Sequence, residues 1–198
     1  MSRLIESIRL HNGVFSNLDF HQWRMNHSVK AVFGTQNTID LGSELNNHQY
    51  PRKGLFKCRV IYDTSIAHTE WIPYVPKPVQ QLKIVISDDI HYPHKFEDRS
   101  AIEDLMMQRE QCDDIIIVKY NLITDSSYSN LIFSDGKQWI TPKSPLLKGT
   151  MRHYLLEAGA INLMEMTLED LKWMRLCKLI NAMVGWEGPE LSVSRIVF

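Results

Sequence analysis

One helix-patterned segment followed by three strand-patterned runs occupies the first half of the chain, and this order limits the folds open to it. Leu55–Tyr62, His68–Tyr74 and Gln81–Ile86 are rich in β-branched and aromatic residues, with turn material between them that includes Pro73, Pro76 and Pro78. Ahead of them, Arg3–Leu10 alternates polar and apolar residues. His11-Asn12-Gly13 is a turn signal and Val14-Phe15 resumes the alternation, which predicts a β-hairpin. From Asp19 the apolar spacing becomes helical, through Trp23, Met25, Val29, Val32 and Phe33, and ends at Gly34. The polar stretch Thr35–Arg52 predicts a short helix plus loop. Together these elements predict a small α+β lobe.

Near Ser87–Pro93 the strand pattern stops. Asp98–Glu110 carries Ala101, Ile102, Leu105 and Met106 on one helical face. Ile115–Val118 is a buried strand, and Leu122–Thr124, Asn130–Phe133 and Gln138–Thr141 are short strands around Asp135-Gly136. Thr150–Ala158 is a helix between Gly149 and Gly159. Thr167 and Asp170 form a variant capping box, and Arg175–Met183 and Leu191–Val197 are further strands. The pattern predicts two lobes, 1–87 and 94–198, joined by the linker 88–93.

The 198 residues have 22 Lys and Arg against 23 Asp and Glu, so no basic excess points to nucleic acid or an anionic membrane. The longest apolar runs are strand-sized and nothing spans a bilayer. The opening residues MSRLIESIRL lack a signal-peptide layout, and Cys58, Cys112 and Cys177 are few and scattered. A reduced, cytoplasmic setting is the expectation. His91 and His94 lie three apart around Pro93 without a Cys or carboxylate partner at ligand spacing, so they predict no metal. Ser126, Ser127 and Ser129 have no partner motif for a nucleophile, and no Gly-rich phosphate loop is present.

An ordered set of fragments carries more. It runs through His21-Gln-Trp-Arg24, then Lys95-Phe-Glu-Asp98-Arg99, then Ile123-Thr-Asp125-Ser-Ser-Tyr-Ser-Asn130-Leu-Ile-Phe133. Trp139-Ile-Thr-Pro142, Leu147-Lys-Gly149-Thr150-Met151-Arg152 and Asn181-Ala182-Met183 follow. In order and spacing, from Ile5 to about Met183, this resembles the class IV aminotransferase family, the fold type IV pyridoxal phosphate enzymes. The family includes branched-chain and D-amino acid aminotransferases and 4-amino-4-deoxychorismate lyase.

The resemblance implies a D-amino acid aminotransferase-like fold of two α+β lobes, with pyridoxal 5'-phosphate in a cleft between them, and a homodimer. It implies Lys95 as the Schiff-base lysine and general base. It implies Arg24 at the phosphate, with Thr150 and Met151 behind Gly149 at a helix N-terminus and Asn181-Ala182 in a second phosphate-side loop. Asp125 stands where the family carries a glutamate at the pyridine nitrogen, one methylene longer. Aminotransferases usually have Gly-Thr or Ser-Ser where Asn181-Ala182-Met183 stands, and the lyase has Asn-Ala-Leu. The implied activity is therefore release of 4-aminobenzoate and pyruvate, toward folate, from a small-molecule amine substrate. A branched-chain or D-amino acid transaminase, or a non-catalytic member of the fold, is the alternative. Ser7 matches a hydroxyl position of the lyase. Arg9, Arg59 and Arg99 are the candidates for the substrate carboxylates. Family members usually carry a further segment before the strand matching Ile5-Glu6-Ser7, so a more open pocket, or one completed by a partner subunit, is expected here.

Overall fold

The computed structural model describes residues 3–198, which divide into two compact units. The first runs through Pro76 and includes His94–Asp98; the second comprises Lys77–Pro93 and Arg99–Phe198.

In the first unit, β1 (Leu4–His11) turns through Asn12 and Gly13, both at positive φ (50° and 81°), into β2 (Val14–Phe15). Asn-Gly tolerates that paired left-handed geometry, which is the reason this dipeptide signals a hairpin. Helix α1 (Leu18–Phe33) follows and stops at Gly34, whose φ of 70° lets its N–H reach the Lys30 carbonyl. A short helix α2 (Leu41–Asn46), capped by Asp40, leads to β3 (Leu55–Tyr62) and β4 (Ile66–Pro73). The sheet order is β2-β1-β3-β4, all antiparallel. Its covered face presents Leu4, Ile8, Cys58, Val60 and Tyr62 to Met25 and Val29 of α1 and to Leu41 and Leu45 of α2.

The second unit holds two sheets around one core. β5 (Leu82–Ile86) runs parallel to β6 (Asp114–Lys119), which pairs with β7 (Leu122–Ile123). A second sheet has the order β10-β9-β8-β11-β12, from β8 (Asn130–Ser134), β9 (Trp139–Pro142), β10 (Asn162–Met164), β11 (Leu176–Ile180) and β12 (Glu190–Ser192). β13 (Ile196–Val197) returns to the free edge of β5. Helix α3 (Ser100–Met106) lies against β6, and α4 (Thr150–Glu157) buries Met151 and Leu155 on Ile132 and Ile180. Alternation places Leu131, Phe133, Cys177 and Leu179 in the core shared by both sheets, so β8 is covered on both faces and wholly buried.

Two placements differ from the sequence pattern. Leu82–Ile86 belongs with the second unit, because its partner Asp114–Lys119 is an almost continuous apolar run that a parallel neighbour helps bury. The segment around Lys95 belongs with the first unit: Ile5 N–H donates to the Lys95 carbonyl (2.8 Å) and Glu97 N–H to that of Arg3 (2.9 Å). Both reassignments rest on backbone hydrogen bonds between segments far apart in sequence, which local periodicity does not encode. β10 also goes unread in the pattern, being three residues long. Among the described residues no helix is long and apolar enough to cross a membrane.

Candidate active site

The candidate residues fall into two groups, one in each unit. In the first, Phe96 bridges Leu4 and packs into the core, and alternation turns Glu97 toward the other face of the sheet. Arg59 agrees with this orientation by bonding Glu97 (3.3 Å) and Glu70 (2.9 Å). Ser7 is the cross-strand partner of Arg59, and Arg9 that of Lys57, so Ser7, Arg9 and Arg59 share this face, while the Lys95 charge acts on His21 of α1. Arg59 is thus matched by two carboxylates. Among the described residues the Arg9 side chain makes no ion pair.

On the covered face lies a polar cluster, centred on Glu6, that the sequence pattern does not single out. Glu6 occupies an inward position between Leu4 and Ile8 and is fully buried. Arg24 grips it with one edge of its guanidinium: Nε donates to Oε1 (2.9 Å) and Nη2 to Oε2. His21 Nδ1 donates to Oε2 (2.6 Å), and the Tyr62 hydroxyl lies 3.5 Å from Oε1. Burial pushes the Glu6 carboxyl up, but the Arg24 charge and the donated hydrogen bonds outweigh it and hold it at about 2. Burial pushes His21 down against the pull of Glu6, so the ring is neutral and its contact with Glu6 is a hydrogen bond. Arg24 is therefore a buried, oriented side chain and not a solvated one. The signal that sequence does hold for this cluster is a lone charge in the inward register of β1, with His21 and Arg24 three apart on the next helix.

In the second unit, Asn130 is the hub. Its Nδ2 donates to Asp125 Oδ1 (2.7 Å) and to the Leu147 carbonyl (2.8 Å), and Leu147 N–H donates to Asp125 Oδ2 (2.9 Å). Burial drives the Asp125 carboxyl up to about 6 in spite of these bonds and the nearby Arg152 charge. Gly149 sits directly against Asn130, where a Cβ would fall 2.0 Å from Oδ1. Behind Gly149, the first-turn N–H groups of α4 lack carbonyl partners within the helix. The Thr150 hydroxyl among them is buried with no hydrogen-bond partner among the described residues. Met151 spends its side chain in the apolar layer with Leu155 and Ile161, so its backbone is the part that could meet a ligand. Arg152 anchors the turn to β9 through Thr141 Oγ1 (3.2 Å) and the Pro142 carbonyl (2.8 Å).

Asn181 closes the same group. Its Oδ1 accepts from Met183 N–H (2.8 Å) and Val184 N–H (3.1 Å), shaping the turn that contains Ala182, and its Nδ2 reaches Ser129 Oγ (3.0 Å). The Ser126–Ser129 loop thus ties Asp125 to Asn181. Arg99 is also committed to this loop, donating to the Ser127 carbonyl (2.7 Å) and stacking over the Tyr128 ring at 4.1 Å.

The chain is similar to known proteins over nearly its whole length. The profile of the family described as amino-transferase class IV matches residues 3–188. The chain belongs to the class IV aminotransferase family. An uncharacterised protein of Haemophilus influenzae is 36% identical over 188 residues, 93% of this chain and 100% of that one. A crystal structure from Haemophilus somnus, provisionally assigned as a 4-amino-4-deoxychorismate lyase, is 36% identical with a TM-score of 0.88, covering 93% of this chain and 98% of that one. A pyridoxal phosphate-bound hypothetical aminotransferase from Mycobacterium tuberculosis, 14% identical, shares the fold at a TM-score of 0.76, over 98% of this chain and 81% of that one. In this class IV aminotransferase-family chain both oxygens of Asp125 have partners, in Asn130 and Leu147.

Proposed function

We propose that this chain is a pyridoxal phosphate-dependent 4-amino-4-deoxychorismate lyase, releasing 4-aminobenzoate and pyruvate. The observation that carries the choice of lyase over transaminase is the 36% identity, across nearly the full length of both chains, with the Haemophilus somnus protein of that provisional assignment. The Asn181-Ala182-Met183 turn, held by its own Asn181 side chain, agrees with it.

The second-unit group fits a phosphate monoester. A buried hydroxyl without a partner among the described residues, at Thr150, stands among first-turn N–H groups at the positive end of α4. Thr150, the Met151 N–H, Arg24 and the Asn181-Ala182 turn would hold the phosphate, Lys95 would anchor the cofactor, and Asp125 would hold the proton of its ring nitrogen. When bound, the cofactor supplies a carbonyl carbon for amine condensation and a ring that accepts an electron pair. Lys95 would then serve as base for the substrate proton beside the amine, with Ser7 as a proton relay. Arg9 is the arginine left to meet a substrate carboxylate, since Arg59 is matched by Glu70 and Glu97 and Arg99 holds the Ser127–Tyr128 loop. The reading includes a homodimer, which light scattering of the purified protein tests.

The activity test supplies the purified holoprotein with 4-amino-4-deoxychorismate and follows both products, 4-aminobenzoate by its fluorescence and pyruvate by coupled reduction. Equal yields of the two are expected. Transfer of amino groups from amino acids to 2-oxo acids, with no 4-aminobenzoate formed, would overturn the lyase reading in favour of a transaminase.

A further inference from the structure

The Glu6 carboxylate occupies a place that stability alone does not explain. β1 turns Leu4, Glu6, Ile8 and Leu10 inward, all four fully buried, and the β3 residue opposite Glu6 is Val60. A methionine or leucine would fill such a position without desolvating a charge, and buried ion pairs replaced by well-packed apolar residues are often no less stable. What the carboxylate adds is geometry. Its two oxygens take the Nε–Nη2 edge of Arg24, a planar two-point grip that fixes both the position and the tilt of the guanidinium. His21, donating from Nδ1 at 2.6 Å, fixes the carboxylate in turn, and the Tyr62 hydroxyl borders its other oxygen.

We propose that Glu6 is the positioning residue for Arg24: gripped from below by Glu6 and braced through it by His21, the guanidinium is preset for an anion before any ligand arrives. The inference rests on the reading that Arg24 meets the cofactor phosphate. An arginine on a helix otherwise searches many rotamers, and holding one of them removes that ordering cost from the binding step. A lone buried arginine without its carboxylate would lose both the orientation and its charge partner.

The test is binding to the apoprotein, with pyridoxal phosphate and separately with inorganic phosphate, measured by titration calorimetry for wild type, Arg24→Ala, Glu6→Gln and the double variant. Arg24→Ala is expected to weaken both ligands by about ten- to a hundredfold. Glu6→Gln, which leaves Arg24 in place, is expected to weaken both by roughly tenfold, and the double variant should bind no more weakly than Arg24→Ala alone. If Arg24→Ala binds both ligands as wild type does, the phosphate role of Arg24 fails and this inference falls with it. If Arg24→Ala weakens binding while a folded Glu6→Gln keeps wild-type affinity, or if the two losses add in the double variant, the positioning role is overturned and the phosphate role stands. Glu6→Asp retains the charge but withdraws the carboxylate by one methylene, and it replaces Glu6→Gln if that protein does not fold cooperatively. Undiminished phosphate affinity in Glu6→Asp would refute the proposal equally.

Discussion

Substituting alanine for Gly149 isolates the one contact on which the second-unit group turns. The backbone there, with φ −69° and ψ 146°, suits any residue, so alanine brings no conformational strain. By restricting the unfolded chain it would even add about 0.4–1 kcal/mol of stability. The obstacle is Asn130, whose Oδ1 would lie 2.0 Å from the new Cβ and whose Cγ would lie 3.2 Å from it. Asn130 has to withdraw, and it holds two hydrogen bonds, a buried one to Asp125 Oδ1 and a partly buried one to the Leu147 carbonyl. A bond to a charged acceptor is worth about 1.5–3 kcal/mol and a neutral one about 0.5–1.5 kcal/mol. Less the alanine gain, the net destabilisation is about 1–4 kcal/mol. Urea denaturation of Gly149→Ala, Asn130→Ala and the double variant measures it. Because Asn130→Ala removes both the bonds and the obstacle, the double variant should be no less stable than Asn130→Ala alone. A Gly149→Ala protein within about 0.5 kcal/mol of wild type, or full additivity in the double variant, would refute the reasoning.

Three further outcomes follow from particular contacts. Lys95→Ala should fold with an unchanged melting temperature, its backbone bond to Ile5 being retained, and lose at least about 10³-fold in turnover; near wild-type turnover would remove Lys95 from the chemistry. Asp125 titrates at about 6 when folded and near 3.8 when unfolded, so the folded state holds the extra proton and stability falls as pH rises from about 4 to 7. Asp125→Asn should abolish that part of the slope, worth about 3 kcal/mol across the interval; parallel stability–pH curves for the two proteins would contradict it. Gly188→Ala should be more damaging than Gly149→Ala, because the added Cβ would meet the Leu179 carbonyl oxygen at 1.8 Å and a strand backbone cannot swing aside; a comparable melting temperature in the two would count against the packing described.

Much of this protein is legible in the order of its amino acids. Asn12-Gly13 announces a hairpin because residues that tolerate positive φ are needed for so tight a turn, and Gly34 announces the end of α1 for the same reason. Amphipathic spacing locates α1 and α3, the flanking Gly149 and Gly159 bound α4, and β-branched runs locate β3, β5 and β6, since burial of one face follows from the period of each element. The ordered fragments around Arg24, Lys95, Asp125, Gly149 and Asn181 are enough to indicate the family. Tertiary structure alone decides the rest. Lys95 joins the first unit through a hydrogen bond to Ile5, far away along the chain, and β5 joins the second through pairing with β6. Local sequence carries no record of such partners, because a strand's backbone groups are alike whatever strand they meet. By sequence Glu6 is a lone charge in the inward register of a strand, and it is the folded chain that closes Arg24 and His21 on it. Asn130 is likewise one letter of a motif, to which the fold adds Asp125, Leu147 and Gly149 around its amide. In both cases a polar group bears burial only because partners from other elements converge on it, and that convergence is a property of the folded chain.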